Sequence, residues 1–286
     1  MKLLRHGNRG KEKPGIEFEG IRFDCSKFFK DWDQEFFDSN GLKELERIIN
    51  SETLNQVRET ERWGAPIARP GMVICVGLNY KDHVKESKMD VPSEPILFMK
   101  PTNTVSGPFD PIYIPDGADQ VDWEIELGIV MGQSAYQLST EEEAQIAIAG
   151  YTIVNDLSER NYQFNKGGQW LKGKSLPGFC PIGPYLVTKD EIEDVKSLDM
   201  KLTIGEELMQ DGNTKNMIFS PAHIVKYISQ FMTLEAGDLI ATGTPAGVGF
   251  GKDPQRFLQV GETIKLEIDQ LGHQEQYLRD SPFKKS

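Results

Sequence analysis

Val121-Asp-Trp-Glu-Ile-Glu-Leu-Gly-Ile-Val-Met131 is the stretch on which the reading of the chain turns. Apolar Trp123, Ile125 and Leu127 alternate with Glu124 and Glu126, the period of two expected of a strand with unlike faces. Side chains two apart on a strand point the same way, so both carboxylates share one face. The run then turns apolar through Gly128-Ile-Val-Met131, as an inner strand does. Two like charges on a buried face are costly to desolvate unless a cation lies between them. The stretch is therefore either half of a divalent-cation site or a half-exposed strand whose outer face carries two acids.

The 286 residues suffice for one large domain and a small one. A hydrophobic content of 38% with 27% charged residues is that of a soluble globular chain. The formal net charge of -12 argues against nucleic acid and against an anionic membrane surface as partners. Cys25, Cys75 and Cys180, odd in number and widely spaced, make no disulfide framework. No apolar run approaches the roughly 20 residues of a membrane span. Met1-Lys-Leu-Leu-Arg-His6 lacks the apolar core of a signal peptide, so a cytoplasmic location is the expectation.

Residues 1–68 read as a separate small unit without an acid-base constellation, suited to a lid or dimerisation role. Strands at 2–5 and 21–23 are joined by a Gly/Pro-punctuated turn, and a helix over 41–49 puts Leu42, Leu45, Ile48 and Ile49 on one face. Residues 63–71 make a linker. Strands follow at 72–76, 96–100 and 112–115, with a short helical turn at 82–86. The capping box Thr140-Glu-Glu-Glu143 opens a helix that runs to Ala149, and a strand covers 150–156. Residues 157–183 look irregular and too long for an idle connection. A hairpin turns at Gly205, a second turn is expected at Asp211-Gly212, and Ser220-Pro221 starts a helix with Ile224, Ile228 and Phe231 in step. Strands at 238–242 and 263–268 complete the set. With so few helices between strands, the pattern predicts a strand-rich α+β fold around a rolled sheet and not a doubly wound one.

Asp156 ends the strand after the acidic one and offers a third carboxylate; its alternative role is the N-cap of a helix at 157–160. Three carboxylate oxygens suit Mg²⁺, Mn²⁺ or Ca²⁺, whereas no Cys or His spacing suits zinc. His83 and Glu86, at i and i+3, meet on one face of a helical turn. They are either an ordinary surface pair or a base held ready to activate water. Arg160, Gln163, Lys172 and Lys174 follow Asp156 and could hold a substrate carboxylate or a developing enolate oxygen. In Thr242-Gly-Thr-Pro-Ala-Gly-Val-Gly-Phe-Gly251, glycines let the backbone approach a ligand and the Thr244 hydroxyl can bond a carboxylate. A dinucleotide loop would need a helix from the last glycine, and Lys252-Asp-Pro-Gln is a poor start for one.

In this order the chain resembles the fumarylacetoacetate hydrolase superfamily. The stretches that carry the resemblance are Val76-Gly-Leu-Asn-Tyr-Lys-Asp-His83, Glu94-Pro-Ile-Leu-Phe-Met-Lys-Pro101, Asp122-Trp-Glu-Ile-Glu-Leu-Gly128 and Asn155-Asp-Leu-Ser-Glu-Arg160. They continue through Gln169-Trp-Leu-Lys-Gly-Lys-Ser175, Cys180-Pro-Ile-Gly-Pro184 and Thr242-Gly-Thr-Pro-Ala-Gly-Val-Gly249. The resemblance implies a rolled, β-sandwich-like catalytic core over residues 69–286 behind a small N-terminal α/β domain over 1–68. It implies Mg²⁺ or Mn²⁺ on Glu124, Glu126 and Asp156, and water activation by His83 with Glu86. It also implies substrate orientation or oxyanion stabilisation by Lys174, Arg160 and Gln163, a carboxylate contact from Thr244, and a homodimer.

Met1-Lys-Leu-Leu-Arg5, Lys13-Pro-Gly15, Arg160-Asn-Tyr-Gln163 and Gly167-Gly-Gln-Trp170 are similar to the longer bacterial members. Those include hydrolases of 2,4-diketo-3-deoxy sugar acids and chains labelled ureidoglycolate lyase. The expected activity is cleavage of a C–C bond in a 2,4-diketo (acylpyruvate-type) acid, such sugar acids among them, through a metal-stabilised pyruvate enolate. One rival is tautomerisation, isomerisation or decarboxylation of a short oxo-diacid such as oxaloacetate, or ureidoglycolate cleavage, on the same metal. The other is a silent small-acid binding protein, against which the complete triad and dyad argue. The expected partner is a small oxo acid.

Overall fold

In the computed structural model, which describes residues 1–282, residues 125–131 of the acidic stretch lie in the interior of an 11-stranded sheet. Strand β1 (Lys2–His6) pairs antiparallel with β2 (Lys13–Phe18), and β2 with β3 (Ile21–Asp24). The turn expected between two strands thus contains a strand of its own. Pro14 and Gly15 lie inside it, and a Cβ on Gly15 would come 2.6 Å from the Phe23 carbonyl oxygen. Punctuating residues here mark close strand approach, not a turn. Helix α1 (Gln34–Asp38), capped by Asp33, precedes α2 (Gly41–Ser51), which buries Leu45 and Ile48 as its spacing predicts. Strands β4 (Asn55–Gln56) and β5 (Trp63–Gly64) pair with β3 and β1.

From β6 (Val73–Gly77) the chain passes through α3 (Lys81–Glu86) to β7 (Ile96–Lys100), antiparallel to β6. Short strands β8 (Val105–Ser106), β9 (Ile112–Ile114) and β10 (Val121–Asp122) lead into β11 (Ile125–Met131), buried at every position. The capping box of Thr140 and Glu143 opens α4 (Glu141–Ala147). That helix stops short of Ala149 because Ile148 already belongs to β12 (Ile148–Asn155).

Residues 157–183 are more ordered than expected, holding β13 (Ser158–Glu159), α5 (Arg160–Asn165), α6 (Leu171–Lys174) and β14 (Cys180–Pro181). Helices this short have no full hydrophobic period to announce them. After β15 (Leu186–Thr188), β16 (Asp199–Ile204) and β17 (Glu207–Asn213) form the hairpin expected at Gly205. The second turn is absent: Asp211 and Gly212 pair with Lys201 and Met200 inside β17. Pro245 packs on Gly212, 2.5 Å from where a Cβ would stand, which accounts for the glycine. Helix α7 (Pro221–Ser229) buries Ile224 and Ile228, while Phe231 falls beyond its end and is exposed. Strands β18 (Leu239–Ala241), β19 (Thr263–Ile268) and β20 (Gly272–Asp280) follow.

The large sheet runs β4-β3-β2-β1-β15-β12-β11-β18-β6-β7, with β5 beside β1. Because Lys2 pairs with Val187 across β1 and β15, the strands of residues 1–68 are hydrogen-bonded into the same sheet as the core. A second sheet, β17-β16-β19-β20-β9, shares one apolar core with it, in which Ile125 and Leu127 meet Leu202 and Leu266. This is the strand-rich, sandwich-like α+β architecture that the sequence implies, and neither sheet closes into a barrel. No helix among the described residues is long and apolar enough to cross a membrane.

Two contacts pin the sheet at its centre. A Cβ on Gly128 would lie 2.6 Å from Val154, and one on Gly150 would lie 2.1 Å from the Val187 carbonyl oxygen. Gly150→Ala is therefore expected to destabilise the fold by about 1–3 kcal/mol through overpacking. A lower urea midpoint at unchanged slope would show it; an unchanged midpoint would refute it.

Candidate active site

Neighbouring strand ends bring the acids together. Glu126 lies in β11, Glu124 just before it, and Asp156 just after β12, with the Asp156 N–H donating to the Glu124 carbonyl at 2.9 Å. One oxygen from each carboxylate lies within 4.8 Å of the others. Glu124, Glu126 and Asp156 are only 6%, 2% and 0% exposed, which removes the reading of an acidic outer face. Asp156 is not a helix cap either: Glu159 caps α5, its carboxylate accepting from the Tyr162 N–H.

Buried acids demand buried cations. Lys174 Nζ donates to Glu124 Oε2 and Asp156 Oδ2, both at 2.7 Å. Arg160 donates to Glu124 Oε1 at 2.7 Å and to Asp122 Oδ2 at 2.8 Å, and Lys100 Nζ to Asp156 Oδ1 at 2.6 Å. Glu126 accepts the Gly243 N–H at 2.8 Å and has no ion pair with a basic side chain among the described residues. Burial pushes the Glu124 carboxyl up, but Lys174 and Arg160 outweigh it and hold its pKa well below the usual range. Burial likewise works against the Lys174 ammonium, and Asp156 and Glu124 outweigh it, raising its pKa. For Glu126, burial and the neighbouring Asp156 and Glu124 charges all act upward. The cluster is thus short of positive charge at one acid, and its all-oxygen donor set suits a hard divalent cation.

His83 and Glu86 meet on α3, Nδ1 to Oε2, at 3.1 Å. The other Glu86 oxygen accepts the Gly247 N–H at 2.9 Å. The glycines of 242–251 serve this approach: a Cβ on Gly251 would lie 2.6 Å from Glu86, and Gly247, at φ +107°, has the Met209 carbonyl oxygen 2.1 Å from its Cβ position. Residues 249–251 form a 3₁₀ turn and not a helix, in line with rejecting a dinucleotide loop. Ahead of α3, Leu78 takes a left-handed φ of 56°, a conformation that costs about 1–2 kcal/mol. The buried Asn79 amide secures that bend by donating to the Phe219 and Thr242 carbonyls.

All the site residues expected from the sequence except Asp156 and Lys172 line one cavity of about 650 Å³, and no residue of 1–68 joins them. Gln163 Oε1 accepts from Arg160 at 3.0 Å. The Thr244 hydroxyl donates to the Ile125 carbonyl and accepts from Gln210, each at 2.8 Å. Lys172 lies outside the cavity, exposed and bonded to the Lys166 carbonyl.

Sequence reasoning assigned no role to Lys100 or Asp122. A lysine at the end of an apolar strand was the available signal for the first, since such an ammonium needs an acid partner. Asp122 accepts from the Gly249 and Phe250 N–H groups as well as from Arg160, tying the glycine loop to α5.

A model of the fumarylacetoacetate (FAA) hydrolase C-terminal family matches residues 72–279. A Burkholderia ambifaria protein that carries only a provisional hydrolase name is 46% identical over 98% of this chain and 100% of its own. Fumarylacetoacetate hydrolase from Exiguobacterium antarcticum superposes with a TM-score of 0.86 at 36% identity, covering 98% of this chain and 100% of that one. Maleylpyruvate hydrolase from Sphingobium sp. SYK-6, solved with manganese(II) and pyruvate, gives a TM-score of 0.82 at 26% identity over 98% and 100%.

Removing one partner of a buried ion pair leaves the other uncompensated. Lys100→Met, which strands Asp156 Oδ1, is expected to cost about 3–5 kcal/mol, read as a lower urea midpoint. A variant as stable as the parent would show that Lys100 does not neutralise the cluster.

Proposed function

The chain belongs to the fumarylacetoacetate hydrolase family, and on that footing we propose that it is a divalent-metal-dependent hydrolase that cleaves the C3–C4 bond of a 2,4-diketo (acylpyruvate-type) acid. The observation that carries this reading is the buried acid triad, two of whose members, Glu124 and Glu126, line one cavity with the His83–Glu86 pair. A cation held by Glu124, Glu126 and Asp156, Mg²⁺ or Mn²⁺, supplies Lewis-acid polarisation of the 2-oxo acid oxygens. The manganese and pyruvate in the maleylpyruvate hydrolase neighbour support that choice.

The side chains divide the remaining work. Glu86 accepts from His83 Nδ1–H, leaving Nε2 to take a proton from water. The hydroxide adds to the C4 carbonyl carbon, the C3–C4 bond breaks, and its electron pair passes to C3. Proton return to C3 completes the cleavage, giving pyruvate and the carboxylic acid of the acyl group. Two Lys174 protons are engaged by Glu124 and Asp156, and the third is free to bond the negative charge that develops on the pyruvate half. Arg160 and Gln163, bonded to each other, orient the substrate carboxylate, with Thr244 on the wall beside them. For the homodimer, edge strand β7 offers exposed Ile96 and Met99 as a contact.

Exhaustive chelation is expected to abolish turnover of acetylpyruvate, and Mg²⁺ or Mn²⁺ to restore it; chelator-insensitive turnover would overturn the metal reading. His83→Ala is expected to lower kcat by about 10²–10⁴-fold, the usual contribution of a general base. Calorimetric Mn²⁺ binding should survive that change. Undiminished turnover by the variant would overturn water activation by the His83–Glu86 pair.

A further inference from the structure

A belt of aromatic rings beside the triad has no part in the chemistry above. Phe98, Trp170, Phe164 and Phe250 line the same cavity. Ring centroids stand 5.5 Å apart from Phe98 to Trp170, 6.2 Å from Trp170 to Phe164 and 5.3 Å from Phe164 to Phe250. Both ends of the belt touch the charged floor. Lys174 Nζ lies 5.0 Å from the Phe98 centroid, and the Arg160 guanidinium 5.8 Å from that of Phe250. Gly77 makes room for the middle of the belt, since a Cβ there would come 2.9 Å from the Trp170 ring. Phe164 and Phe250 nonetheless remain 39% and 40% exposed. Rings left wet on a concave wall, next to a polar floor, are apolar surface that a ligand can cover.

We propose that this belt receives the part of the substrate beyond C4 and selects an apolar, ring-bearing acyl group, as in a 4-aryl-2,4-dioxobutanoate. The proposal rests on the diketo acid reading and goes further by naming the tail. An aryl ring meets the belt edge-to-face or offset, the arrangement aromatic pairs favour. A polyol tail would bring hydroxyls that lose water against ring faces without gaining partners. A tail carboxylate would fare no better there, because the adjacent cations, Arg160 and Lys174, are committed to the acid floor and, in the reading above, to the keto acid head. Lys88 and Lys252 also border the cavity, and a tail anion drawn to them is the competing outcome.

The test compares kcat/KM of the Mg²⁺-loaded protein for benzoylpyruvate, acetylpyruvate, maleylpyruvate and a 2,4-diketo-3-deoxy sugar acid. Benzoylpyruvate is expected to exceed acetylpyruvate by about tenfold or more, the discrimination an apolar pocket provides. That ratio should collapse in Phe164→Ala and Phe250→Ala proteins shown to be folded by their melting temperatures. Calorimetry with 4-phenyl-2-oxobutanoate and 2-oxobutanoate, which lack the second carbonyl and cannot be cleaved, reads the tail without the reaction. Tighter binding of the phenyl compound, lost in Phe250→Ala, supports the belt even if none of the four acids is cleaved, in which case the diketo acid reading alone fails. Equal binding of the two oxo acids, or faster cleavage of the sugar acid or maleylpyruvate than of benzoylpyruvate, overturns the proposal.

Discussion

Charge balance at the strand ends is the constraint on which everything else depends. Asp122, Glu124, Glu126 and Asp156 are buried together with Lys100, Lys174 and Arg160. Four carboxylates against three cations leave one negative charge in excess, and it falls on Glu126, where burial and like charges oppose ionisation most strongly. A divalent cation held there would reverse the sign of the cluster, and the single carboxylate of a keto acid would then bring it to neutrality. A floor so arranged would favour cation and monoanionic ligand together more than either alone, because charge in a dry site is expensive unless it cancels.

The His83–Glu86 pair is held by backbone as much as by side chains. Glu86 accepts from the Gly247 N–H, and Gly251 passes so close to it that no side chain fits. Asp122 accepts from Gly249 and Phe250 of the same loop and from Arg160 at once. The loop, α3 and α5 are therefore one hydrogen-bonded assembly leaning on β11, although they are far apart in sequence. Rigid support of this kind matters because catalytic groups displaced by about 1 Å can lose about 10²-fold in rate.

What could be read from the sequence had a repeating signal. The alternation through Glu124 and Glu126, the i, i+3 spacing of His83 and Glu86, and the capping box at Thr140 are local patterns, and the structure has the two acids side by side, the pair in contact and the box closed. Strand β20 was not legible because its inward face is polar: Gln274 and Gln276 are fully buried, and Gln274 donates to the Ile153 and Pro181 carbonyls. Strand β2 hid behind Pro14 and Gly15, and α5 and α6 are too short to show a period. Lys100 and Asp122 have roles that exist only after folding, when residues 56 and 38 positions away arrive beside them.

The register of β11 carries a consequence for how such a chain can change over generations. Partners on both sides fix it, with Gly128 opposite Thr152 on one flank and Ala241 on the other. Since side chains alternate, one residue inserted or deleted between Ile125 and Gly128 would turn an acid away from its companions or force every later apolar residue to the wrong face. Point substitutions can be tried there one at a time, but changes of length cannot. Residues 166–170, between α5 and α6, belong to no strand and lie under no such rule, and they supply Trp170 to the aromatic wall. Descendants of this sequence are thus free to vary that part of the wall while inheriting, letter for letter in spacing, the acid floor beside it.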